Sequence, residues 1–199
     1  MSNDTATPSE IDTGIADAWL AVYKIENRIA AHDKSVFLFL ARYKDVHQMS
    51  RTKWSLSVSE AWAKLEEKHL GLGYLPFYGD DYPERLIAER EELRLERIAA
   101  LDVVAELEKS YTGWSRFFAV TGGHLHSSMS CHTCNKGRTP TRFAWVTDLS
   151  GLTESEAVDK LGPALCSVCF PSAPVEHQEQ AKLGKTALRA AGVEPALDR

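Results

Sequence analysis

The chain has 199 residues, 44% of them hydrophobic and 26% charged, which is enough for one domain with an appendage or for two small domains. The formal net charge of −5 is unevenly placed: residues 1–114 carry 14 Lys/Arg against 20 Asp/Glu, and residues 115–199 carry 9 against 8. An acidic front half excludes nucleic-acid wrapping over the whole surface, because phosphate neutralisation needs a basic face.

Residues 1–13 are polar and acidic and read as a disordered leader. They have neither the basic start nor the apolar stretch of a signal peptide, so a cytoplasmic location is expected. From Ile15 the apolar spacing becomes helical: Ile15, Trp19, Val22 and Ile29 share a face. Val36, Leu40, Tyr43 and Val46 extend that period, as a second helix or as a continuation through residues 31–34. The longest apolar run, Val36 to Ala41, is far too short to span a bilayer. Ser57 and Glu60 have capping-box spacing and open a helix that stops near Gly71. A loop rich in turn residues and aromatics follows at 74–82, offering surface for a protein partner. Asp81 then caps the longest helix, which runs to about Lys109 with Pro83 in its first turn.

The character changes at Gly113. Residues 114–121 and 141–147 read as strands, with turn chemistry between them at 135–140. A short helix is expected from Glu154 to Leu161, ended by Gly162 and Pro163. Residues 176–191 suggest a last helix, and the tail beyond it looks loose. The fold class is therefore α+β. A helical region at 14–110 precedes a small zinc-stabilised hairpin-and-helix module at 111–175, of zinc-ribbon or treble-clef type, and then the segment 176–199.

All four cysteines lie in two Cys-x-x-Cys pairs, Cys131 with Cys134 and Cys166 with Cys169. In a chain without export signals this reads as metal binding before disulfide. Two residues between paired cysteines let one tight turn aim both sulfurs at one ion, and four thiolates complete the tetrahedron that zinc prefers. One structural Zn2+ is the expected cofactor. His124 and His126 stand just before the first pair and alternate onto one strand face. With four cysteines filling the tetrahedron, their expected role is hydrogen-bonding support of the thiolates, with metal ligation as the alternative.

No catalytic residues are expected. The segment between Cys134 and Cys166 contains no histidine, so the general base of zinc-stapled ββα nucleases is missing. The deaminase, Walker, nucleophile-elbow and His-Glu-x-x-His signatures are also missing. Lys136, Arg138 and Arg142 cluster at the hairpin tip beside Phe143 and Trp145, which suits local nucleic-acid contact. The competing reading makes Phe118, Phe143 and Trp145 the small core of the module. The leading expectation is a non-enzymatic binding module whose partner is a protein. Local nucleic-acid binding comes second, and an unrecognised metal-dependent enzyme third.

The run from Gly123 to Cys134, the run from Trp145 to Glu154, and the run from Leu165 to Pro174 together carry a further signal. This block, covering roughly residues 110–175, resembles a group of uncharacterised proteins encoded by actinobacterial bacteriophages. The resemblance implies a phage product acting in the host cytoplasm, and the leading expectation is accordingly a phage accessory protein that binds a host macromolecule. It implies metal binding by the four cysteines and supplies no activity.

Overall fold

The computed structural model describes residues 6–51, 53–71, 81–120, 124–134, 141 and 143–174. The turn at 135–140, Arg142, most of the aromatic loop at 74–82 and the helix expected at 176–191 lie outside the described residues. Helix α1 runs from Pro8 to Arg42, followed by a small antiparallel hairpin of β1 (Gln48–Ser50) and β2 (Lys53–Trp54). Helices α2 (Val58–Gly71) and α3 (Tyr82–Glu108) come next. Strands β3 (Phe118–Val120), β4 (Leu125–His126) and β5 (Phe143–Trp145) and helix α4 (Glu154–Leu161) complete the described elements, with 3₁₀ turns at Thr147–Leu149 and Gly162–Ala164. Mixed helix and sheet is as expected. Among the described residues no helix is long and apolar enough to cross a membrane.

The chain divides into two compact units. One comprises residues 1–17 and 104–199, and the other residues 18–103. The leader expected to reach residue 13 gives way to helix at Pro8, and this first segment belongs with the back half of the chain. Its physical cause is a capping box: Thr7 Oγ1 accepts from the Glu10 amide (3.3 Å) while Glu10 Oε2 accepts from the Thr7 amide (2.8 Å). Pro8 occupies the first helical position, where its missing N–H costs nothing.

The 18–103 unit is helical, and its core is ordinary. Val36, Phe37, Phe39, Leu40, Val46, Ala61, Trp62, Leu65 and Leu86 are buried together. Phe37 stacks on Trp54 with ring centroids 5.1 Å apart, which uses the hairpin as a lid on that core. The α2 capping box forms as expected, with Glu60 Oε2 accepting from the Ser57 amide at 2.7 Å. Arg28 pairs with Glu96 and Arg97 with Glu26, on exposed surface.

The other unit is built on a three-stranded antiparallel sheet in the order β4-β3-β5. Its register decides what each face carries. Phe118 lies opposite His126 on one side and Trp145 on the other, while Ala119 lies between Leu125 and Ala144. The Ala119 face joins Phe117, Val146, Leu149, Ala157, Leu161, Leu165, Phe170 and Ala173 in the apolar core. On the opposite face Phe118 meets Trp145 edge-on, with centroids 4.8 Å apart, and also meets Phe143 (6.3 Å). Phe118 and Phe143 are buried, so the aromatics beside the hairpin tip serve as interior rather than as an open stacking platform. Helix α4 begins at Thr153 through a capping box with Glu156 and ends at Gly162 with φ of 45°.

A buried polar network ties the first turns of α1 to this sheet. Asp12 is fully buried, and its carboxylate accepts from Trp114 Nε1 (2.9 Å), Arg116 Nε (2.8 Å) and Ser150 Oγ (2.6 Å). Arg116 also donates to Glu108, and its guanidinium lies over the Tyr111 ring at 3.6 Å. A buried charge survives only when paired and hydrogen-bonded. Here three donors surround one carboxylate.

Candidate metal centre

Two turns and one strand carry the donors. The first turn leaves β4 directly: the Cys131 amide donates to Ser128 O, and the Cys134 amide to Cys131 O at 2.9 Å. In the second turn the amides of Cys169 and Phe170 both donate to Cys166 O. This second turn is anchored on β4, because the Cys166 amide donates to Leu125 O (2.9 Å) and Leu165 bridges Leu125 in parallel. Strand β4 therefore has β3 along one edge and the second cysteine turn along the other. The 31-residue separation in sequence collapses to a few ångströms in space.

His126, Cys131, Cys166 and Cys169 place their ligand atoms within 4.8 Å of one another, a grouping that can hold a metal ion. Cys134 closes on the same place from the histidine side, with Sγ 3.4 Å from His126 Nε2 and 3.8 Å from Nδ1. Cys169 Sγ is 3.7 Å from His126 Nδ1. None of the four cysteines is in a disulfide. The structure thus brings three of the predicted cysteines, Cys131, Cys166 and Cys169, together with His126, which is 2% exposed, and sets Cys134 beside the histidine at the edge of that group, so the expected set of four thiols is corrected to three thiols and an imidazole. His124 is half-buried and adjoins as a charge neighbour of His126. Lys136, Arg138 and Arg142 lie outside the described residues.

The electrostatics favour a cation. Burial, with the His124 charge second, holds the His126 imidazole below its ordinary range, which favours the neutral ligating form. Burial pushes the Cys169 thiol up to about 11, with Ser127 hydrogen bonds pulling the other way. Burial also raises Cys131, but hydrogen bonds from Thr133, and then from Cys169 and Cys166, outweigh it and lower that thiol below its usual value. Crowded thiols cannot all ionise unless positive charge arrives among them. The spacing fits as well. A tetrahedral ion with bonds of about 2.0–2.3 Å holds its ligand atoms roughly 3.3–3.8 Å apart, and the sulfurs of Cys134 and Cys169 lie 3.8 and 3.7 Å from His126 Nδ1.

The strand position of His126 was legible in the sequence, but the expected ligand count directed attention to the cysteines. The signal that places it in the cluster is register: Leu125 faces the apolar core, so its neighbour must face the thiols. Thr133 was not singled out. Its Oγ1 lies 3.1 Å from Cys131 Sγ and 3.7 Å from Cys166 Sγ, bridging the two turns. The chain matches no protein-family model, no curated protein and no solved structure.

Proposed function

We propose that this chain is a zinc-stabilised binding module, with one structural Zn2+ and no catalytic role for the metal. The observation that carries the reading is the donor set: His126, Cys131, Cys166 and Cys169 place four ligand atoms within 4.8 Å of one another, with Cys134 beside the histidine and with His126, Cys131 and Cys166 buried. A catalytic zinc keeps one position for water or substrate, whereas four protein donors fill the tetrahedron. Thiolate donors favour zinc over hard cations such as calcium or magnesium. When bound, the ion supplies a cross-link between two turns 31 residues apart, and strands of two or three residues gain a staple that so short a ladder does not provide. The zinc-ribbon or treble-clef assignment and a phage origin with action in the host cytoplasm belong to this proposal.

The partner we propose is a host protein. In the helical unit Leu95, Ile98 and Val103 are all more than 40% exposed along α3, an apolar stretch suited to protein contact. The nucleic-acid reading has less support, since Phe118 and Phe143 are buried and unavailable for base stacking. The test is elemental analysis of purified full-length chain beside capture of its partner with and without chelator. One zinc per chain and chelator-sensitive capture support the proposal. An unmetallated, fully folded protein overturns it.

A further inference from the structure

The cluster holds more donors than one tetrahedral ion can use, and the surplus falls at one corner. Cys131, Cys166 and Cys169 come from the two turns and lie within 4.8 Å of each other and of His126. These three thiolates leave one position, and both remaining donors border it, Cys134 Sγ being 3.4 Å from His126 Nε2. We propose that His126 and Cys134 are alternative donors to that fourth position, which makes Cys134 an exchangeable ligand and a modification site for soft electrophiles while the metal stays bound. The inference rests on the zinc-site reading above and adds the behaviour of one corner of it.

The two donors differ in a way that assigns their parts. His126 sits on β4, paired with Phe118 in the sheet and packed edge-on against Phe143 at 6.4 Å. Its ring is held in place and shielded from reagents. Cys134 ends its turn and is half-buried, whereas Cys131 and Cys166 are buried at 8% and 5% exposure. Cys169 is also half-buried, but its turn is anchored on β4 through the Cys166 amide and Leu125 O, and His126 comes nearer to the Cys134 sulfur, at 3.4 Å, than to the Cys169 sulfur, at 3.7 Å. A thiolate that leaves the ion for solvent can be alkylated at that moment, and the imidazole already in place takes the vacated position. No intermediate with an open zinc is needed.

The test uses full-length zinc-loaded protein and iodoacetamide. The Cys134 thiolate displaces iodide from the reagent's methylene carbon, so that one sulfur–carbon bond forms and one carbon–iodine bond breaks. Native mass spectrometry is expected to show one carbamidomethyl group with one zinc retained, and peptide mapping to place the group on Cys134. Cys134→Ala and His126→Ala are each expected to keep one cobalt per chain after substitution for zinc. The thiolate-to-cobalt band is expected to be weaker in Cys134→Ala than in His126→Ala, and Cys166→Ala to bind none. First alkylation on any other cysteine, zinc loss at the first alkylation of the wild type, or loss of cobalt from the Cys134→Ala variant would overturn the proposal. The alkylation arm needs no variant, so misfolding of His126→Ala cannot rescue it. A wild type that takes up neither zinc nor cobalt would instead sink the underlying metal-site reading.

Discussion

The two units reach a stable interior by different routes. The 18–103 unit packs long helices around Trp62, Phe39, Leu40 and Leu65, all fully buried, and leaves its Arg28–Glu96 and Arg97–Glu26 pairs at the surface. Surface pairs of this kind contribute about 0–1 kcal/mol each, so the apolar core carries the unit. The other unit has a core cluster of ten buried residues, about the size of the nine-residue cluster of the helical unit, but builds it on strands of two or three residues. It adds two polar devices, the Asp12–Arg116–Glu108 network and the thiol–imidazole cluster. Long helices build their core from apolar side chains with polar contacts at its margin, such as Trp62 Nε1 donating to Asp33 Oδ1 at 2.8 Å, whereas short strands depend on a few residues whose loss is not shared out.

That contrast can be broken at graded strengths. Cys166→Ala is expected to have the largest effect: it removes a donor common to every four-ligand set, and near-UV circular dichroism should show loss of the fixed environment of Trp114 and Trp145. Next comes Asp12→Ala, which leaves Arg116 buried beside Glu108 alone. Denaturant unfolding should show a loss of about 3 kcal/mol, the lower end for breaking a buried pair because Glu108 remains. Leu65→Ala, in the helical unit, should cost about 2–5 kcal/mol by the same measurement while leaving metal content unchanged, which separates the two routes. The smallest effect is expected at the α4 cap, where Thr153→Ala should cost about 1 kcal/mol.

The cap also gives a pH signature. Hydrogen bonds from the Thr153 amide and hydroxyl hold the Glu156 carboxyl below its ordinary 4.5. A carboxyl depressed in the folded state contributes stability that is fully present above pH 4.5 and lost as pH falls through the folded value. Unfolding midpoints of wild type and Glu156→Gln should therefore converge on acidification below that range.

Much of this was legible from local signals. Ser57 with Glu60, Asp81 with Pro83, and Thr153 with Gly162 announced their helix boundaries through capping chemistry, which depends on neighbours in sequence. The same signal stood at Thr7 and Glu10 and was overridden by the polar composition of the leader. Asp12 could not be identified as an anchor, because its partners Trp114, Arg116 and Ser150 are more than 100 residues away. The β1–β2 hairpin escaped as well: its strands are three and two residues long, too short for an alternation of apolar and polar residues to mark them. Cysteine spacing disclosed the two turns. The inclusion of His126 required the pairing register of β4, which only the folded sheet supplies.

The central claim is that a metal ion, and not apolar burial alone, holds the sheet unit together. Hydrogen exchange on the full-length chain, followed residue by residue before and after chelation, with zinc quantified in the same sample, tests it most directly. The account predicts one zinc per chain and, on its removal, loss of protection at Phe118–Val120, Leu125–His126 and Phe143–Trp145, while the amides of α2 stay protected. Unchanged protection of those strands in metal-free protein would contradict it.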